Sequence, residues 1–256
     1  MKLSGWMNAL DDGKLTVRAV ERALDILLCF TDSSDLSLTE IARRVSLHKS
    51  TAHRLLASLE SKGFVLRDPG TERYRLGYRV WELSANLTQS DEPALILLPE
   101  MERLRDLVGE TISLYVRDGH ERIRIQAVQS SHSVRRVAPV GERMPLYVGA
   151  SSKVLVAYED EEFLRELLDS PHCPDYIDKR AFVRQMGDIR RAGYATSFEE
   201  REPGANAFAA PIFNRAGKLV AALAVSGPAN RWTPEAMNRF APQIIAFAQR
   251  MGKMLK

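Results

Sequence analysis

The six residues Lys49-Ser50-Thr51-Ala52-His53-Arg54 bring an ammonium, two hydroxyls, an imidazole and a guanidinium together with no carboxylate among them. That set suits the recognition of phosphates and base edges. Arginine can give two donors to the acceptors of guanine, a hydroxyl serves a base or a phosphate, and uncapped N–H groups at a helix start favour an anion. Ala52, Leu55, Leu56 and Leu59 recur at three- and four-residue steps, so the segment reads as a helix with one buried stripe. At about 100° per residue, Ser50, Arg54 and Ala57 fall opposite that stripe, with Lys49 and His53 on its flanks. Lys49, Ser50, Thr51, His53 and Arg54 are therefore the expected contacts to duplex DNA, because a major groove admits one helix and its N-terminal part supplies most base contacts.

The flanking sequence supplies the elements that would position this helix. Ser37-Leu38-Thr39-Glu40 has the spacing of a capping box and opens a short helix over about Leu38 to Val45. Ser46, Leu47 and His48 interrupt the pattern as a turn, and Gly63 stops the second helix. Phe64-Val65-Leu66 and Tyr74-Arg75-Leu76 then flank Asp68-Pro69-Gly70-Thr71, a tight turn with proline and glycine at permitted positions, so two short strands make a wing. Upstream, Val17, Val20, Ala23, Leu24, Leu27 and Leu28 predict an amphipathic helix from about Thr16 to Phe30 whose apolar face packs on the next two. The order is that of a winged helix-turn-helix over residues 14–77. Nine basic against four acidic side chains between residues 36 and 79 give this stretch a net +5, whereas the whole chain carries +3. Arg43, Arg44, Arg73 and Arg75 belong to that excess and complete the expected DNA-binding set. A protein-docking module without sequence-specific DNA binding is the competing reading of the same pattern.

The remaining composition narrows the function class. A chain of 256 residues with 45 % hydrophobic content is long enough for two cores. Cys29 lies in the apolar stripe of the first helix and Cys173 in the loop Ser-Pro-His-Cys-Pro, and two such separated cysteines build neither a zinc cluster nor a disulfide framework. No metal and no cofactor is expected. Catalytic signatures are missing too: there is no Gly-x-Ser-x-Gly elbow, no His-Glu-x-x-His, no phosphate loop and no Cys-x-x-Cys. His120 and His132 fall at expected strand edges with no nucleophile and carboxylate arranged beside them. No run approaches the ~20 apolar residues of a membrane span, and Met1 to Gly13 lacks a signal-peptide core, so the expected setting is cytoplasmic. Met1 to Lys14 reads as a mobile lead-in.

Beyond the wing, Tyr78 to Gln89 holds Val80, Trp81, Leu83, Ala85 and Leu87 without proline or glycine and predicts a linker helix within residues 78–91. Ser90-Asp91-Glu92-Pro93 marks the border of a second domain, residues 92–256. There, a helix near Ala94 to Val108 precedes a hairpin of Thr111 to Val116 and Arg122 to Val128 around Asp118-Gly119. Pro139 to Tyr147 leads into Gly149-Ala150-Ser151-Ser152-Lys153 and a helix. Two further helices, about Glu161 to Leu168 and Arg180 to Ala192, are followed by a second hairpin, Ala207 to Phe213 with Leu219 to Ser226, and a C-terminal helix from Thr233-Pro234-Glu235. Consecutive hairpins with separate helices predict an α+β domain built on an antiparallel sheet. Ala150, Ser151 and Ser152 are small residues at an expected helix N-terminus, where free N–H groups and the helix dipole favour a carboxylate.

Several of these stretches, taken in order, resemble the IclR family of bacterial transcription regulators. They are Leu36-Ser-Leu-Thr-Glu-Ile-Ala-Arg-Arg, Lys49-Ser-Thr-Ala-His-Arg-Leu-Leu, Gly141-Glu-Arg-Met-Pro-Leu-Tyr, Gly149-Ala-Ser-Ser-Lys, Gly193-Tyr, Pro203-Gly204 and Ala221 to Pro228. The resemblance runs from about Val17 to the end. It implies a winged helix, a linker helix used in dimer contacts, and a GAF/profilin-like effector-binding domain, in a homodimer or homotetramer acting on palindromic double-stranded operators. It also implies an effector pocket, carried over onto Met144, Leu146, Ala150, Ser151, Ser152, Ser197, Ala205, Ala207, Ala224 and Ser226, that takes a small organic acid. Some relatives place an acid, a cysteine or a second serine at the positions of Ser197, Ala207 and Ala224. The smaller or less polar groups here lean toward a carboxylate larger than two or three carbons and partly apolar. Repression of a catabolic operon is the expected activity.

Overall fold

A computed structural model describes residues 16–89, 93–135 and 139–255. The lead-in expected at Met1 to Lys14 and the border residues 90–92 lie outside the described residues. Contacts divide the chain into two compact units, with the boundary between residues 90 and 91.

In the first unit, α1 (Arg18–Leu28), α2 (Leu38–Arg44) and α3 (Lys49–Ser61) precede the strands β1 (Val65–Arg67) and β2 (Tyr74–Leu76) and the helix α4 (Tyr78–Gln89). The capping box forms as its spacing predicts: Ser37 N–H donates to Glu40 Oε2 at 2.7 Å and Glu40 N–H donates to Ser37 Oγ at 3.3 Å. Between α2 and α3 the chain turns through Ser46 at φ +53°, and Leu47 N–H closes back on Ala42 O at 2.8 Å. β1 and β2 pair antiparallel in the register Val65 to Leu76, and a bridge between Leu36 and Tyr74 fixes the wing to the start of α2. Ile26, Phe30, Leu36, Ile41, Leu56, Val65 and Tyr74 form the core. Gly77 lies so close to Gly63 that a Cβ there would meet the Gly63 carbonyl oxygen at 2.1 Å.

The apolar face expected to bury α1 is not the one that packs. Val17, Val20, Leu24 and Leu28 are 54–63 % exposed, while Ile26 and Phe30 enter the core, with Ala23 and Leu27 half-buried. Periodicity marks an apolar face without saying what covers it, and here α1 has two. On α4, Tyr78, Trp81 and Leu83 are also exposed, Trp81 by 75 %.

The second unit is a six-stranded antiparallel sheet in the order β5-β4-β3-β8-β7-β6, with helices on both faces. Its strands are β3 (Thr111–Asp118), β4 (Glu121–Val128), β5 (Arg143–Pro145), β6 (Ala195–Phe198), β7 (Ala205–Phe213) and β8 (Leu219–Pro228). Alternation along the strands assigns each face. Ala209, Ala222 and Ala224 pack with α7 (Ala150–Ala157), α8 (Glu161–Asp169) and α9 (Lys179–Ala192), whereas Phe208, Ala210, Leu223 and Val225 pack with α6 (Leu98–Val108) and α10 (Pro234–Met254). The helix expected over residues 94–108 breaks at Leu97, leaving a short α5 (Pro93–Ile96) before α6. Both cysteines are free and half-buried, and burial pushes the Cys29 thiol pKa up. No helix among the described residues is long and apolar enough to cross a membrane.

Candidate functional site

The N-terminal half of α3 is held from behind and left free in front. Ala52 and Leu56 are fully buried, which turns Lys49, Ser50, His53 and Arg54 outward, with Thr51 half-buried. His48, the N-cap, contributes no side-chain acceptor, and its carbonyl takes the N–H groups of Thr51 and Ala52, leaving those of Lys49 and Ser50 without an acceptor among the described residues. The side chains of Arg43, Lys49, His53, Arg54 and Arg75 have neither an ion pair nor a hydrogen bond among the described residues. A helix start with uncapped donors and unpaired cations is a surface of positive potential, suited to a polyanion.

Two of the expected basic contacts are engaged within the unit. Arg44 donates to Cys29 O at 2.9 Å and pairs with Asp32 at 2.6 Å. Arg73 pairs with Asp35 and lies 3.2 Å from Glu40. These bonds tie α2 to the end of α1 and the wing to the capping box, so both arginines hold the position of α3. The Ser37 N–H donated to Glu40, first among several causes, keeps that carboxyl below the usual carboxylate range.

The second unit contains a cavity between the N-terminus of α7 and strands β3, β4, β6, β7 and β8. Its volume is only about 40 Å³. Gly149, at φ +92°, turns the chain into α7, and the N–H groups of Ala150, Ser151 and Ser152 take no acceptor among the described residues. The walls are small, with Ala205, Ala207 and Ala224 beside the hydroxyls of Ser151, Ser197 and Ser226. Arg122 of β4, only 3 % exposed, also lines the cavity. Its Nη1 donates to Val148 O at 2.9 Å and to Ser152 Oγ, and Ser152 Oγ in turn donates to Pro145 O at 3.0 Å. Burial lowers the Arg122 pKa to about 10, so it stays protonated at neutral pH. Beside it, Glu142 pairs with both Arg124 and Arg201, and Arg124 Nε donates to Tyr115 Oη at 2.9 Å.

Comparison with known proteins decides what these two arrangements belong to. The family model for the IclR helix-turn-helix domain matches residues 19–69, and that for the bacterial transcriptional regulator IclR C-terminal domain matches residues 89–253. The chain belongs to the IclR family. Members of this family are DNA-binding transcription regulators with an effector-binding C-terminal domain, and they are not enzymes. This IclR-family chain is 30 % identical over 254 residues to the HTH-type transcriptional regulator BhcR of Paracoccus denitrificans, covering 97 % of this chain and 90 % of that protein. It is 28 % identical over 243 residues to the transcriptional repressor IclR of Escherichia coli, covering 92 % and 89 %. A crystal structure of an IclR homolog from Microbacterium hydrocarbonoxydans complexed with 4-hydroxybenzoate aligns with a TM-score of 0.79 at 26 % identity, covering 91 % of this chain and 98 % of that one.

Seven of the ten residues that sequence placed in the pocket of this IclR-family protein line the cavity: Ala150, Ser151, Ser197, Ala205, Ala207, Ala224 and Ser226. Met144, Leu146 and Ser152 are buried behind it, where Met144 and Ser152 support the Arg122 guanidinium. Tyr147 does not line the cavity; its hydroxyl donates to Leu167 O at 3.1 Å. Sequence reasoning missed Tyr115, Arg122, Gly149, Arg201, Glu202 and Asn206. The alternation Arg122-Ile123-Arg124-Ile125 was the available signal, and both arginines are more buried than either isoleucine.

Proposed function

We propose that this regulator represses a catabolic operon as a homodimer, or a pair of dimers, in which two copies of α3 read the half-sites of a palindromic operator. The observation that carries this reading is the unpaired face of Lys49, Ser50, His53 and Arg54 at an uncapped helix start, with Thr51 at its edge. Arg43 and Arg75, exposed and without an ion pair among the described residues, extend the same positive surface toward the phosphates, and Arg44 and Arg73 add charge to it from within their ion pairs. The apolar stripe of Val17, Val20, Leu24 and Leu28, together with Trp81 on α4, supports dimerisation through this unit, since a contiguous exposed apolar face favours a partner. A small organic acid in the C-terminal cavity then shifts which spacing of the two winged helices the dimer favours, to the extent that it binds the two arrangements with different affinity. Ala150, Ser151, Ser197, Ala205, Ala207, Ala224 and Ser226 form its walls, with Met144, Leu146 and Ser152 behind them. An aromatic acid is larger than this open space, so its binding needs the lining side chains to move apart.

Fluorescence anisotropy against genomic promoter fragments tests this reading. Neutralising about six phosphates predicts a loss of roughly a thousandfold in affinity between 50 and 200 mM salt. A flat salt dependence would contradict it and favour a protein-docking role.

A further inference from the structure

We infer that Arg122 is the counter-ion for the effector's carboxylate, that the effector is a monoanion, and that this one guanidinium lets the cavity discriminate an acid from its neutral analogue. The inference rests on the reading of the cavity as the effector site and names the chemistry that site selects. Arg122 is almost wholly buried, yet no carboxylate contacts it among the described residues. The Nη1 side is committed to Val148 O and Ser152 Oγ. Along the opposite edge, among the described residues, Nε has no hydrogen-bond partner and Nη2 meets only the thioether of Met144 at 3.4 Å, a weak acceptor. An Nε–Nη2 edge presents two parallel N–H donors, the arrangement that a carboxylate takes with both oxygens.

Nearby carboxylates do not supply the missing charge. Glu200 is held by Lys153 and by Gly149 N–H, and Glu142 is shared between Arg124 and Arg201. Across the cavity and its rim, Arg122, Arg124 and Arg201 face Glu142 and Glu202, leaving one positive charge over. The guanidinium also packs against Gly149, where a Cβ would lie 3.2 Å from Nη1, so it adds to the positive end of α7 instead of opposing it. Two neutral acceptors and the ring of Tyr115, 5.2 Å from Cζ, hold this buried cation with no carboxylate in contact among the described residues, an arrangement that an incoming anion stabilises.

The test is differential scanning fluorimetry of the full chain with a panel of aliphatic, hydroxy-, oxo- and aromatic monocarboxylates as sodium salts, each compared with its amide and with chloride at equal ionic strength, followed by calorimetry on any acid that stabilises. Wild-type protein is expected to be stabilised by at least one acid and not by its amide. Arg122→Met should lose about 10- to 100-fold in affinity for that acid while its unliganded melting temperature stays equal to or above the wild-type value. Arg122→Lys should keep the preference for acid over amide, and its retained response covers the case in which the methionine variant does not fold. Undiminished acid binding by Arg122→Met would overturn the role of Arg122 and leave the effector site standing. Stabilisation by an amide as strong as by its acid would overturn the charge selection, and no response of the wild type to any acid would overturn both.

Discussion

Replacing Arg54 by alanine separates reading DNA from folding around it. The Arg54 side chain is exposed on α3 and makes no ion pair or hydrogen bond among the described residues, so its loss should leave the thermal midpoint within the scatter of surface substitutions, about 0.5 kcal/mol. A two-donor contact to guanine is worth about 1–3 kcal/mol, which is roughly 5- to 150-fold in affinity for each half-site. Arg44→Ala should lower stability, because it removes the bonds to Cys29 O and Asp32. Anisotropy titrations of both variants on one operator, alongside urea denaturation, read the two effects separately. An Arg54→Ala protein that binds the operator as tightly as wild type, or that loses as much stability as Arg44→Ala, would refute the assignment of α3 as the reading helix.

Other substitutions probe the scaffold. Gly77→Ala should destabilise the N-terminal unit by about 1–3 kcal/mol in urea melts, because the new Cβ would overlap the Gly63 carbonyl. Glu40→Gln should lower the thermal midpoint at neutral pH. Since the folded Glu40 carboxyl titrates below its unfolded value, its contribution is present above the usual carboxylate range and is lost as the pH falls through the folded pKa; the gap between wild type and variant should therefore close as the pH drops below that range. Trp81→Glu places a charge on the exposed apolar part of α4 and should shift the chain toward monomer in sedimentation and weaken operator binding in parallel; an unchanged oligomer would remove α4 from the interface.

Local chemistry made the DNA-binding unit legible in the sequence. The capping box, the turn at Ser46 to His48, the stripe of Ala52 and Leu56 and the wing are each specified by residues a few positions apart, and each forms where its pattern lies. Long-range placement was less legible. The repeat of Val17, Val20, Leu24 and Leu28 reads the same whether the chain's own core or another surface covers it, and in this unit the core takes the side bearing Ile26 and Phe30. Arg122 and Arg124 illustrate a second limit. Charged residues alternating with isoleucine on a strand ordinarily mark a solvent face, but helices cover both sides of this sheet, so the charged face points inward. Small residues near α7 identified the cavity, while the group that charges it comes from a strand 30 residues earlier than Ser152.

The most direct test of an operator-reading regulator is selection of fragments of the source genome by the purified full-length chain, followed by sequencing, with Arg54→Ala selected in parallel. The expected result is a palindrome enriched upstream of one or a few operons by the wild type and lost with the variant. Uniform recovery of fragments by both proteins would contradict the account, since a basic surface that holds DNA without reading it cannot address an operon.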